Sequence, residues 1–285
     1  MNSKTINIVW LKRDLRSQDH APLLKAECAG IPYLVIYLFE PSRIEYPDTS
    51  QRHLQFVYHS IVNLNKVLSE FNRQVELFYA EAIEVFNYLI KDFDINNVFS
   101  YQESGTQGSW ERDKKIKQFC KSNQINWQES QRDGILRGIK NRKDWNKKWH
   151  LKMHSSVIQN KYSISKEMRL EHPFLMPSTL KSQLQDYPNH YQPPGEKNAW
   201  RYLKSFTKKR GFNYQRHISK PMQSRISCSR LSPYLAWGNM SIKQAFQFIG
   251  THPNGTKNSK PFSAMLTRLH WHCHFIQKFE MECRY

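Results

Sequence analysis

The sequence predicts a doubly wound α/β domain on a five-stranded parallel sheet, followed by a smaller all-helical domain. Three observations carry this. Short β-branched runs alternate with longer amphipathic ones over the first 130 residues, the strand-like runs are apolar on both faces, and beyond residue 196 only the helical period survives. Strands are expected at 6–11, 33–39, 75–80, 97–101 and, with a weaker pattern, 125–128. Between them 21–29, 50–71, 82–93 and 109–122 read as helices. In the second of these, Leu54, Val57, Tyr58, Ile61, Leu64, Val67, Leu68 and Phe71 recur at steps of three and four and make one apolar stripe. From 131 to 195 the periodicity fades and Pro173, Pro177, Pro188, Pro193 and Pro194 punctuate the chain, so this stretch reads as a long surface connector. Helical patterns then follow at 196–210, 231–237, 241–250 and 262–283. The expected domains are therefore 1–130 and 196–285, joined by 131–195.

Composition supports two packed units. Hydrophobic residues make up 39% of the 285 positions and aromatics 13%, enough to bury a core and to exclude disorder. The longest unbroken apolar run, 33–39, is far short of the ~20 residues a membrane helix needs. The amino terminus has no apolar signal region, and a soluble, cytoplasmic protein is expected. Cys28, Cys120, Cys228, Cys273 and Cys283 are odd in number and widely spaced, which encodes neither a disulfide framework nor a zinc ribbon and fits a reducing compartment.

Charge says most about partners. The formal balance is +19, and residues 145–285 account for 23 basic against 6 acidic side chains. Between Glu196 and Glu280 no carboxylate side chain occurs, although 15 Lys and Arg do. Such a domain repels itself unless an anion sits on it, which points to nucleic acid or a dinucleotide; a solvated basic face is the plainer reading.

The sharpest local feature is Ser227-Cys228-Ser229-Arg230-Leu231-Ser232-Pro233-Tyr234-Leu235-Ala236-Trp237-Gly238. Ser232 and Pro233 read as the N-cap and first residue of a short helix that Gly238 closes. The start of that helix offers backbone N–H groups, hydroxyls and the Arg230 fork to an anion. A plain capped helix is the alternative. Ser241-x-x-Gln244 repeats the device as a capping box for the next helix.

Four motifs in order resemble the DNA photolyase and cryptochrome family. Trp10-Leu11-Lys12-Arg13-Asp14-Leu15-Arg16-Ser17-Gln18-Asp19-His20-Ala21-Pro22-Leu23 is similar to its opening motif. Ser229 to Gly238 resembles its flavin phosphate-binding stretch. Gly195-Glu196-x-x-Ala199-x-x-x-Leu203-x-x-Phe206 resembles the start of its helical domain, and Leu269-His270-Trp271 the start of its flavin and substrate helix. The resemblance implies an α/β antenna domain and a helical domain holding FAD. It also implies light-driven electron transfer from reduced flavin to a pyrimidine dimer flipped out of UV-damaged DNA, the flavin carrying the redox chemistry. A cryptochrome-like photoreceptor without repair, or an inactive nucleotide-binding module, are the rival readings.

By motif match, Ser229, Arg230, Leu231 and Ser232 contact the FAD phosphates and ribityl, and Cys228 stands where the family often has Thr. Tyr214 resembles the tyrosine that closes over FAD, with 217–225 lengthening the spacing. Trp271 is the aromatic wall against flavin or dimer, the one residue assigned a catalytic part, with a core tryptophan as the alternative. The chain departs from the pattern after Trp271, where His272-Cys273-His274 replace the more usual Arg and Glu. Arg268 stands one helical turn earlier, where some cyclobutane-dimer enzymes have a carboxylate. Arg268 and His272 are therefore included as candidate cofactor contacts. His270 and His274 share a helix face, but no second cluster in the sequence completes a metal site, and no metal is expected. Arg132 to Lys152 carries eight Lys or Arg with Trp145 and Trp149 at an i, i+4 spacing, read either as a nucleic-acid contact or as a Trp pair packing the connector. Gln102-Glu103 resembles the place where some members bind a folate antenna, so a folate-type or other second chromophore is expected there. Because family members continue well past the flavin and substrate helix, the chain is expected to be a fragment or one part of a split protein, with the missing carboxyl-terminal segment as a partner.

Overall fold

The computed structural model describes residues 4–166, 170–257 and 259–282; Cys283 and the end of the last predicted helix lie outside them. The chain divides into two compact units, one of residues 1–130 and 158–195, the other of 131–157 and 196–285.

In the first unit β1 (Lys4–Leu11), β2 (Tyr33–Leu38), β3 (Val75–Phe78), β4 (Phe93–Tyr101) and β5 (Asn126–Ser130) form one parallel sheet in the order β3-β2-β1-β4-β5. The order reverses at β1, which places a switch point at the carboxyl ends of β1 and β4. All five strands fall where the alternating pattern predicts. β4 begins four residues early, because Phe93, Asp94 and Ile95 pair with Lys4, Thr5 and Ile6 of β1 although Asp is a poor strand former by propensity. The register shifts between Ile6 and Asn7, where the Asn7 side-chain oxygen accepts from the Asn97 N–H at 3.1 Å and stands in for a ladder bond.

The helices α1 (Ala21–Cys28), α2 (Pro41–Ile44), α3 (Gln51–Leu68), α4 (Ala82–Asp92) and α5 (Gln107–Ser122) cover the sheet. Ser50 caps α3 by accepting from the His53 N–H, and Val57, Ile61, Leu64 and Leu68 bury the predicted stripe. Val67, counted in that stripe, is exposed at its margin. Ile6, Ile8, Trp10, Leu34, Ile36, Phe78, Val85, Phe86, Leu89 and Val98 make the core.

The 131–195 segment is shared out rather than running as one connector. α6 (Trp145–His154) buries Trp145, Trp149 and Met153 in the second unit, Trp149 meeting Phe246 edge-on at 5.2 Å. The Trp pair thus packs, and Lys147 and Lys148 of α6 are exposed. From 158 the chain is stitched to the first unit: Ile158 N–H donates to Asp19, and Asn160 exchanges two hydrogen bonds with the His20 backbone. α7 (Ser178–Gln185) lies against α3, where Gln55 donates to the carbonyls of Gln183 and Asp186.

His20 also caps α1. Its Nδ1 accepts from the Leu23 N–H at 3.1 Å, so Nε2–H donates to Asp14 at 2.7 Å, and both side chains are fully buried. Burial holds the imidazole below its ordinary pKa. The Asp14 carboxyl, which burial alone would raise, is brought below its ordinary value by the His20 hydrogen bond and the Lys12 N–H. Each group favours the folded state only above its unfolded pKa, about 6.5 for His and 3.9 for Asp. The urea midpoint of the first unit is therefore expected to fall as pH drops from 7 through 5. A midpoint flat over that range would contradict a buried neutral His20.

The second unit is helical: α6, α8 (Glu196–Lys208), α9 (Tyr214–His217), α10 (Pro221–Ser227), α11 (Ser232–Ala236), α12 (Ile242–Thr251), α13 (Pro253–Lys257) and α14 (Ser259–Glu282). The capping box of α12 is complete, Ser241 accepting from the Gln244 N–H while Gln244 accepts in return. Among the described residues Cys28, Cys120, Cys228 and Cys273 are free thiols, and no group of three or more His, Cys, Asp or Glu side chains is placed to hold a metal. None of the described helices is long and apolar enough to cross a membrane.

Candidate functional site

The helical unit brings several of the sequence candidates together. Tyr214 on α9 is buried, with the Arg268 guanidinium of α14 close enough to act on its hydroxyl; burial, with Cys228 nearby, pushes that hydroxyl up to about 12. Arg268 in turn lies over the Trp271 ring with Cζ 4.4 Å from the centroid, a cation–π contact. Trp271 is 42% exposed, so it is not a core tryptophan, and its neighbour one turn on, Phe275, is 62% exposed. Arg268, Trp271 and Phe275 share one face of α14.

His272 turns elsewhere. It lies within electrostatic range of Asp133 and Arg132, burial lowers its pKa, and its buried Nε2 has no hydrogen-bond partner among the described residues. His270 and His274 pack against Trp145 at 5.1 and 6.0 Å, and His270 also meets Asn146 at 3.0 Å, so this pair belongs to the packing of α6 on α14.

The 227–232 stretch differs in detail from the sequence expectation. α11 starts at Ser232 with Leu231, rather than Ser232, as its cap, Pro233 is the second residue, and the cap residue makes no side-chain capping bond. A five-residue helix brings little dipole. The turn comes one residue earlier, where Arg230 has a φ of +62°, a conformation that costs a bulky residue of order 1 kcal/mol or more. Leu231 follows with a right-handed backbone (φ −84°, ψ −13°). Left-handed and right-handed residues in succession direct consecutive N–H groups to one side, the geometry of an anion nest. Ser229 is buried with its hydroxyl accepting from the Leu231 N–H at 3.4 Å, Leu231 is buried and Ser232 is exposed. Gly238 has φ +69° beyond the end of α11, as a closing glycine requires.

One residue that pattern reading missed holds this turn. The Arg210 guanidinium donates to the carbonyls of Tyr202, Ile226, Cys228 and Ser229. It follows two lysines in a basic run, and no spacing rule marks it out.

In the α/β unit Glu103, at the carboxyl end of β4, accepts from Arg13 at 3.2 Å, Arg43 at 3.3 Å and Arg112 at 2.7 Å. These guanidiniums overcome burial and hold its carboxyl well below the ordinary range. Arg112 also binds Glu40 and Asp113, at 2.8 and 2.7 Å. A folate ring that used Glu103 as its acceptor would have to displace an arginine. Beside the cage lies a cavity of about 650 Å³, bordered by Arg13, Arg43, Tyr46, Thr106, Ser109 and Lys115.

An open parallel sheet with a switch point, joined in sequence to a basic helical unit that carries a donor-rich turn, defines the class. A family model described as DNA photolyase matches residues 7–142. The deoxyribodipyrimidine photo-lyase of Buchnera aphidicola (subspecies Acyrthosiphon pisum) is 28% identical over 281 residues, covering 92% of this chain and 56% of that protein. Three solved structures share the fold. An archaeal photolyase from Sulfolobus tokodaii, described with two FAD molecules, has a TM-score of 0.73 and 17% identity, over 97% of this chain and 60% of its own. A Synechocystis cryptochrome gives 0.74 and 16%, over 99% and 62%. A class III photolyase from Agrobacterium tumefaciens gives 0.75 and 18%, over 99% and 60%. The chain resembles the DNA photolyase and cryptochrome family in residues 7–142, which the family model matches, and in its fold. It spans 56% of the length of the curated relative and 60 to 62% of these solved chains.

Proposed function

We propose that this chain takes part in light-driven, FAD-dependent repair of pyrimidine dimers in DNA, a carbon–carbon lyase reaction, and that the 227–232 turn holds the flavin diphosphate. The observation that carries the reading is the chemistry of the turn: a left-handed Arg230, a nest of N–H groups and Arg210 behind it, in a stretch with no carboxylate side chain between Glu196 and Glu280. Such a donor set suits a polyanion and fits FAD. When bound, the flavin supplies light absorption and the electron.

The protein's own part is to bind and orient. Ser229, Arg230 and Ser232 offer N–H, hydroxyl and guanidinium donors to the phosphates. Leu231 anchors the turn in the apolar interior, and Cys228 leads into it beside Tyr214. Tyr214 and Arg268 brace one another and set the Trp271 plane, against which a flipped base or the flavin ring stacks. His272, with its buried Nε2, stands ready for a bound group on the neighbouring face of α14. The basic surface receives the DNA backbone, and raising salt is expected to weaken that contact steeply. For a second chromophore, the 650 Å³ cavity beside the Glu103 cage suits a ligand by volume better than Glu103 itself does.

Arg230→Ala is expected to weaken FAD retention about tenfold or more, read as flavin stoichiometry after gel filtration. Retained yellow colour would remove Arg230 from the site. The activity is tested by illuminating the protein with added reduced FAD and an irradiated oligonucleotide. Light-dependent loss of dimers supports repair, whereas photoreduction of flavin with no repair supports the photoreceptor reading. A chain that retains no flavin defeats both.

A further inference from the structure

Arg210 makes more contacts than any packing role requires. It begins the 3-10 turn Arg210–Asn213 that follows α8, and its guanidinium folds back over the Tyr202 and Phe206 rings, with Cζ 5.9 and 6.0 Å from their centroids. Its five N–H groups all find acceptors. Nε donates to the Ser205 hydroxyl at 3.2 Å, one terminal nitrogen to the carbonyls of Ile226 (3.1 Å) and Cys228, and the other to those of Tyr202 (3.0 Å) and Ser229 (3.2 Å). None of these acceptors is a carboxylate. The charge is met by four peptide carbonyls, one hydroxyl and two ring faces, and Arg230 is near enough for the two guanidiniums to feel each other.

The peptide plane turns these contacts into a directional device. In a trans peptide C=O and N–H point in opposite directions. Fixing the Cys228 and Ser229 carbonyls on Arg210 therefore aims the N–H groups of Ser229 and Arg230 away from it, on the side where the left-handed Arg230 and right-handed Leu231 open their nest. Holding both carbonyls also restrains Arg230 from relaxing to a negative φ. A planar five-donor fork can do this; an ammonium on a flexible stem cannot.

We propose that Arg210 is the positioning residue of the phosphate-binding turn, fixing from behind the backbone that grips a nucleotide diphosphate without touching the diphosphate itself. The proposal rests on the flavin reading and deepens it. Its consequence is selectivity of effect: ligands that carry the diphosphate depend on Arg210, and the same ring system without it does not.

The test compares the full chain with Arg210→Lys and Arg210→Gln in two measurements. In the first, binding of FAD, ADP and riboflavin is measured by titration. Both variants are expected to bind FAD and ADP about tenfold more weakly, equivalent to about 1.4 kcal/mol, with riboflavin affinity unchanged. In the second, amide exchange is followed without ligand, and residues 228–231 are expected to exchange about tenfold faster in both variants while α12 and β1 keep their protection. Wild-type behaviour of Arg210→Lys in both measurements overturns the proposal. So does an equal loss of riboflavin and FAD, or a loss of protection across the whole helical unit, since either marks a general folding role. If the unaltered chain binds none of the ligands, the flavin reading fails; exchange at 228–231 then decides by itself whether Arg210 fixes the turn.

Discussion

Glu103→Gln is expected to destabilise the α/β unit by about 3–5 kcal/mol, the range for removing one member of a buried ionic cluster. The side chain is 3% exposed and serves Arg13, Arg43 and Arg112 together. Lys12, paired with Asp113 at 2.8 Å, adds a fourth cation to the same crowded end of the sheet. With the carboxylate gone, Lys12, Arg43 and Arg112 keep Glu40 and Asp113 as ion-pair partners, and the cluster loses a carboxylate that three guanidiniums share. Glutamine keeps the shape and adds an amide N–H where only acceptors are wanted. Because removing both partners costs less than orphaning one, Glu103→Gln combined with Arg43→Met should recover part of the loss. Urea unfolding of the full chain, with amide exchange in β1 and β4 as the local probe, measures both. A Glu103→Gln protein within about 0.5 kcal/mol of wild type would mean that the cage contributes nothing. The cage also has a pH signature. The folded pKa of Glu103 is depressed, so its contribution is present above about pH 4.5 and is lost as pH falls towards that depressed value.

The cage shows which parts of this protein are legible in its sequence. Strands and sheet helices follow from local periodicity, and β1 to β5 fall within a few residues of where alternation puts them. Sites built from one continuous stretch are legible too, and the 227–232 turn is recognisable from Ser229 to Ser232 even though its helix starts at Ser232 rather than after it. The cage instead draws on residues 12–13, 40–43, 103 and 112–113, and only the sheet's parallel order brings them together. Arg210 is hidden for a stronger reason. Its acceptors are backbone carbonyls, which carry no residue identity, so no pattern of side chains announces them. The helices α6, α7 and α10 escaped because their apolar stripes are short and Lys, Ser and Gln fill the remaining positions, leaving tertiary burial of Trp145, Trp149, Leu184 and Ser227 to decide their form. Asp144 before α6 even has a φ of +61° and makes no capping bond, so the usual start signal is absent.

Those buried tryptophans carry the other large expected effect. Gly134 sits against Trp149 so closely that a Cβ at 134 would stand 2.0 Å from Cδ1 and 2.6 Å from Nε1 of the ring. Its carbonyl also accepts from the Trp145 Nε1–H at 3.0 Å, so the backbone cannot retreat without breaking that bond. Trp149 has no room to yield, being 1% exposed and enclosed by Phe246, His150 and His270 at ring distances of 5.2, 5.0 and 4.7 Å. The need at 134 is for space, not for a left-handed backbone. Gly134→Ala should therefore destabilise the helical unit by about 2–3 kcal/mol through overpacking. Trp149→Phe, which shortens the ring, should restore part of the loss when combined with it, although alone it leaves a cavity. Thermal unfolding followed by tryptophan fluorescence, with exchange in α12 and α14 to localise the change, measures the pair. Should Gly134→Ala melt with wild type, the packing of α6 against α12 and α14 would have to be looser than a 2.0 Å approach allows.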